Sequence, residues 1–250
     1  MKIPNSFWNI LGGFIYTTGF LIGMIFIGLT VWSDLEGNAF WGLTEAATYD
    51  NQAEADARLK DLTCPLLLTR QETGTVVVQI YNPHDEPINV TLQTDFSHPT
   101  ASLAPIRDHQ QFQLIPREQR TLSWTVGMDN LRFDRLILVR TYLIDPVLRI
   151  PIRTTHCGIL VVDTPGLTSK QMVIASFALS LSMMMIGIGL WLIGKLPLKS
   201  RRSTFSMIAL ASLTLLGMIS SLTGFWIGAG GFFILNLIIL LTLFENSIQG

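Results

Sequence analysis

Few residues in this chain are of types that do chemistry. The histidines are His84, His98, His109 and His156, and the cysteines are Cys64 and Cys157. His84-Asp85-Glu86 sets an imidazole beside two carboxylates, a combination suited to a divalent ion or a proton transfer. The triplet lies between Pro83 and Pro87, however, and reads first as a turn. Arg107-Asp108-His109 reads in the same way as a loop cluster. Neither is accompanied by paired acids, a nucleophile motif or a glycine-rich phosphate loop, so no catalytic residue, metal ligand or cofactor is expected. Asn89-Val-Thr91 matches a glycosylation acceptor but falls within a strand-like run. Cys64 and Cys157 admit three readings: one disulfide, a thiolate metal site completed by His156, or two buried thiols. Without C-x-x-C spacing the metal reading is poor. An even count in an oxidising compartment favours the disulfide.

All of these residues belong to a single polar stretch. Hydrophobic residues make up 49% of the chain and charged residues 14%, against about 25% charged in ordinary soluble domains. The charge is concentrated between Asp34 and Lys170. A net charge of −1 with no basic surface run gives nucleic acid no electrostatic foothold.

The flanks read as membrane spans. Phe7 to Trp32 carries no charge and exceeds the roughly 20 helical residues that a bilayer core needs. It is also too long for the apolar core of a cleaved signal peptide, and it ends in Trp32-Ser33-Asp34. Gly12, Gly19 and Gly23 fall on one helical face and suit close packing against another span. Gln171 to Gly194 is a second charge-free run, and Ser203 to Phe244 is long enough for two more, broken near Ser220 to Gly224. Asn236 is the most polar residue at depth and reads as glue between helices. Met183-Met184-Met185 reads as adaptable packing. Lys195, Lys199, Arg201 and Arg202 form a basic loop that the positive-inside rule places in the cytoplasm, in agreement with Lys2. Both termini are then cytoplasmic, and residues 34–170 are extracytoplasmic on a multi-pass protein of the plasma (cytoplasmic) membrane.

Between the first two spans, residues 34–61 read as a connector carrying a short helix from about Gln52 to Asp61, with Phe40-Trp41 as an interfacial aromatic pair. Seven strand-like runs follow: 62–69, 75–81, 88–96, 111–115, 120–126, 136–144 and 150–162. Alternation is plain in Val76/Val78/Ile80 and Leu122/Trp124/Val126. Seven short strands separated by turn clusters predict a two-sheet β-sandwich of the immunoglobulin kind. The expected fold class is therefore a membrane protein, α plus all-β: four transmembrane helices with an Ig-like sandwich inserted between the first and second. Its segments are transmembrane helix 1 (1–33), connector (34–61), outer sandwich (62–165), transmembrane helix 2 (166–194), basic cytoplasmic loop (195–203), and transmembrane helices 3 and 4 with a short tail (204–250).

Thr75-Val-Val-Val-Gln-Ile-Tyr-Asn82-Pro83, Pro87-Ile-Asn-Val-Thr-Leu92, Leu114-Ile-Pro116 and Leu122-Ser-Trp-Thr-Val126 resemble bacterial extracytoplasmic Ig-like domains of the CARDB-like, cell-adhesion-related type. Such domains place an Asn at the end of an early strand and a Leu-x-Pro-Gly turn before a later one. Here Arg117 stands at the Gly position, and the cysteine pair is not obligatory in that family. The resemblance implies the sandwich and a binding or spacing role, and it transfers no functional residue.

The expected function is non-enzymatic. The outer domain would bind a protein partner, as an accessory or scaffold subunit of a membrane or envelope complex, with the lipid bilayer as the other partner. The alternative is an adhesin or cell-wall carbohydrate receptor. A transporter or enzyme subunit is disfavoured, because transport paths normally use ionisable groups within the membrane.

Overall fold

The computed structural model describes residues 5–41, 57–59, 62–99, 105–144, 151–164, 166–194 and 199–248. It divides into a helical unit, Met1–Val31 with Lys170–Gly250, and a β unit, Trp32–Ser169.

The helical unit contains most of α1 (Asn5–Trp41), together with α2 (Ser169–Ile193), α3 (Lys199–Leu222) and α4 (Trp226–Ile248). Among the described residues, three helices are long and apolar enough to cross a membrane: α1, α2 and residues 204–222 of α3. The apolar part of α4, Trp226–Thr242, is shorter. α1 meets each of the other three helices. Its glycines let backbones approach: a Cβ on Gly12 would stand 2.8 Å from the Gly187 carbonyl, and one on Gly19 would stand 2.8 Å from that of Ser180. On the same face, Gly23 lies against Thr214 and Ser180. Hydroxyls supply the polar links. Ser180 donates to the Gly19 carbonyl (2.8 Å), Tyr16 to that of Met207 (2.7 Å), and Thr30 to the Ser221 hydroxyl (2.8 Å). Asn236 does not follow the expectation. It is fully buried, yet its amide donates to the Phe232 carbonyl one turn back on its own helix (3.0 Å), and its Oδ1 has no partner. Hydroxyls on the α1 seams make the bridges expected of it, because they lie where two backbones are close.

The described residues of the β unit form two sheets. One has the order β1-β3-β6, from β1 (Arg58–Leu59), β3 (Gly74–Tyr81) and β6 (Gln119–Val126). The other has the order β2-β9-β8-β4-β5, from β2 (Leu67–Thr69), β4 (Ile88–Phe96), β5 (Ile106–Leu114), β8 (Leu136–Ile144) and β9 (Pro151–Val162). The two-residue β7 (Leu131–Arg132) pairs with β8. β2 runs parallel to β9 and the remaining pairs are antiparallel, so this sheet is mixed. The inward residues Val76, Val78 and Ile80 of β3 pack with Leu92, Leu114, Val139 and Ile159 of the larger sheet in two adjoining apolar clusters.

Several boundaries differ from expectation. Residues 58–59, expected as helix, form a strand against Tyr81 and Ile80, and Ala57 before them is a bend; the rest of that helix, 52–56 and 60–61, lies outside the described residues. The run 62–69 is not one strand: Thr63 bridges to Val77 in the smaller sheet, whereas 67–69 joins β9 in the larger. Pro65, which lacks an N–H, sits at the changeover. β5 begins at Ile106, because continued pairing with β4 sets Arg107 opposite Asp95. Helix α1 runs nine residues past Trp32, and this tail is packed against a sheet.

Candidate functional site

In an antiparallel sheet, alternate residues face opposite sides. On the larger sheet, Val139, Leu143, Cys157 and Ile159 face the core, so Leu138, Arg140, Tyr142 and Gly158 face away from it. That second face is covered by the α1 tail. Gly158 lies so near the Ser33 carbonyl that a Cβ could not fit between them. The Gly158 amide donates to Asp34 Oδ1 (3.3 Å), and Gly37 lies over the Cys157–Gly158 peptide. This explains why β8 is buried on both faces, with Leu136 to Val139 all inaccessible.

Beside the tail lies a buried ionic cluster. Asp95 is 0% exposed and takes Arg140 at 2.6 Å and Arg107 at 3.4 Å, with Gln93 Nε2 donating at 2.9 Å. The Arg140 guanidinium also sits over the rings of Trp41 (4.6 Å) and Tyr142 (5.1 Å). Burial, reinforced by the Asp95 charge, raises the Tyr142 pKa. Next to it, Arg132 lies over Phe40 and Phe133, which meet edge-to-face at 6.2 Å. Phe40 and Trp41 are thus engaged with arginines of the β unit, where the sequence suggested an interfacial pair. Asp95 is saturated by cations and an amide, which suits it to locking β4, β5 and β8 together.

At the other turns, Asn82 is fully buried. Its Nδ2 donates to the carbonyls of Glu86 (2.9 Å), Leu114 (3.3 Å) and Ile115 (2.9 Å), and its Oδ1 accepts from the His84 amide (2.9 Å). One side chain therefore ties the β3–β4 turn to the β5–β6 turn. Arg117 has φ +59°, the left-handed conformation that favours glycine, and its guanidinium forms two hydrogen bonds with Asp85 (2.8 and 3.1 Å). That bond depresses the Asp85 pKa. His84, Asp85, Glu86, Pro87 and Ile88 line an open concavity of about 400 Å³.

Cys64 and Cys157 form a disulfide, which excludes the thiolate-metal and free-thiol readings. Among the described residues no three His, Cys, Asp or Glu side chains are grouped as metal ligands. Lys195 lies outside the described residues; Lys199, Arg201 and Arg202 open α3.

No family model matches this chain, and no curated protein matches it. Among solved structures, a β-glucosidase from Erythrobacter marinus shares 16% identity, covering 42% of this chain and 15% of its own, with a TM-score of 0.34. A β-glucosidase from Listeria innocua in complex with glucose shares 18% over 43% and 16%, at 0.31. The CARDB domain of a Pyrococcus furiosus protein, in complex with di-metal ions, shares 9% over 44% of this chain and 94% of its own, at 0.34. The chain thus spans only 15% of the length of the first β-glucosidase. A CARDB domain is among the folds similar to this chain, as in the motif resemblance between Thr75 and Val126. At these identities and scores the similarities assign no residue a role.

The docked tail and the Asp95 cluster escaped the sequence reading. Two signals pointed to them: Leu136 to Val139 is apolar without alternation, as in a strand buried on both faces, and Gly158 interrupts a strand, as where another backbone comes close.

Proposed function

We propose that this protein is a non-enzymatic, multi-pass membrane protein that uses its β unit to dock a protein partner, as an accessory or scaffold subunit of a membrane or envelope complex. In this reading α4 is a fourth span, both termini are cytoplasmic, and the β unit is an Ig-like sandwich on the extracytoplasmic side. The observation that carries the docking reading is a pair of open edges. β5, of nine residues, and β6, of eight, each end their sheet, and neither pairs on its outer side among the described residues. Unpaired N–H and C=O rows of this length are templates for strand addition. The helical unit supports the binding reading from the other side. Its spans between 7 and 31, 171 and 194, and 204 and 244 contain no charged residue, which leaves a proton or bare ion without the groups that usually carry it.

The test is photo-crosslinking in intact cells from p-benzoylphenylalanine at Gln111 on β5 or Thr121 on β6, with Asn89 on the interior strand β4 as control. One membrane or envelope protein, identified by mass spectrometry and captured from an edge position but not from Asn89, is the expected result. Equal capture from all three, or none, rejects edge docking. Labelling of a Ser200→Cys variant from outside intact cells checks the orientation; ready labelling reverses it.

A further inference from the structure

We propose that the tip of the β7–β8 hairpin, Phe133, contacts the lipid interface and acts as an additional tether of the β unit to the bilayer. This rests on the membrane reading but not on which side the β unit occupies, nor on what its edges bind. Phe133 and Asp134 have φ of +54° and +56°, and the Arg135 amide closes the turn onto the Arg132 carbonyl at 3.2 Å. Phe133, Asp134 and Arg135 form the loop, since β7 and β8 pair Arg132 with Leu136, and a turn with both central residues left-handed is of type I′, which prefers Asn-Gly or Asp-Gly. A bulky residue with positive φ is a true outlier, and strain of this kind gathers at functional positions. The ring is not held there by a core: Phe133 is 56% exposed, and its aromatic neighbour is Phe40 at the surface of the tail.

The surroundings indicate what covers it. The exposed large apolar side chains described in the β unit are Trp32, Leu35, Ile106, Ile115, Phe133 and Leu167. Trp32 and Leu35 lie one turn apart on α1 where the unit begins, and Leu167 lies two residues before it ends at Ser169. The hairpin tip is bonded to both boundary segments. Arg135 pairs with Glu36 at 2.6 Å, while Arg70 pairs with Asp163 at 3.6 Å and donates to the Asp134 carbonyl at 3.5 Å. Phe133 therefore belongs to the end of the unit from which the chain passes into its apolar helices. Aromatic rings partition to the headgroup level, and arginines beside them lay their stems on apolar surface while keeping the charge in water.

The test uses the full chain in lipid nanodiscs. Both native cysteines are disulfide-bonded, so an introduced cysteine is the sole reactive thiol among the described residues. An NBD fluorophore on Phe133→Cys is compared with one on Ile115→Cys, which is exposed but lies outside this group. The expected result at 133 is blue-shifted emission, several-fold weaker quenching by aqueous iodide, and strong quenching by lipids carrying a nitroxide near the headgroup. A label on Asp134→Cys, which leaves Phe133 in place, should respond in the same way if the turn tolerates only that change. The proposal is overturned if positions 133 and 134 are both as open to iodide as 115, or if they are protected from iodide but insensitive to the nitroxide lipid. The second result would mean cover by protein.

Discussion

Two glycines in one contact should respond to the same substitution with opposite signs. Gly158 and Gly37 face each other across the junction of the α1 tail and β9. A methyl on Gly158 would overlap the Ser33 carbonyl, which is backbone and cannot swing aside. Overpacking of this kind costs about 1–3 kcal/mol, and displacement of the Gly158 amide from Asp34 forfeits a further bond worth about 1 kcal/mol. A methyl on Gly37 would stand 3.6 Å from the carbon of Cys157 and the nitrogen of Gly158, an ordinary contact. Alanine there also gains the roughly 1 kcal/mol by which it exceeds glycine in a helix interior. Gly158→Ala should therefore weaken docking by about 2–4 kcal/mol, while Gly37→Ala strengthens it by up to about 1 kcal/mol. Since 1.4 kcal/mol is about tenfold, the two variants should differ by roughly thirtyfold or more in the docking equilibrium. Hydrogen exchange of the amides from Ser33 to Trp41, in detergent, reads this directly, and thermal unfolding reads its share of global stability. Close packing of the tail on β9 is refuted if Gly158→Ala protects those amides as well as the parent, or if Gly37→Ala exposes them as Gly158→Ala does.

The remaining expectations are simpler. Gly19→Ala should lower the melting temperature in detergent, at a cost of about 1–3 kcal/mol, because its Cβ meets the Ser180 carbonyl and the Met184 amide; Gly189→Ala, with nothing within 4 Å, should not. Glu72 is held below its ordinary pKa chiefly by the Ser169 amide, with the Thr69 amide and hydroxyl adding to this. A depressed carboxylate stabilises above its unfolded pKa, about 4.3 for Glu, and loses that contribution as pH falls through the folded value. The melting-temperature gap between the parent and Glu72→Gln should thus be full near neutrality and close on acidification. Asn236→Leu should leave the melting temperature unchanged or raise it, since the replacement removes an unpartnered buried oxygen; a loss of function in a folded variant would reveal a site within the membrane.

The parts legible in the sequence were those whose periodicity is one-sided. Val76, Val78 and Ile80 alternate because one face of β3 is core and the other is not, and the runs 7–32, 171–194 and 203–222 stand out by the absence of charge. The α1 tail was not legible for a physical reason. Ser33, Asp34, Glu36 and Asn38 are polar and follow an apolar run, so they mark the end of a span. Whether the helix continues depends on a sheet more than a hundred residues away, where Gly158 leaves room for it. Asn236 announced its polarity but not its direction, which is set by its own helical turn. Phe133-Asp134 carries no hairpin signature, because a type I′ turn is normally announced by Asn or Gly. The cysteine pairing was readable because number and compartment, rather than geometry, decide it.

The sulfur bridge also has a mechanical consequence. Cys64 and Cys157 are 93 positions apart, and most of the strands lie between them. If α1 and α2 are drawn apart, tension entering from α1 reaches Cys64, crosses to Cys157 and leaves through the short run to α2. Strands β3 to β8 lie off that line. The bond acts as a covalent bypass, so the fold it encloses keeps its edges in register under a load that its hydrogen bonds never have to bear.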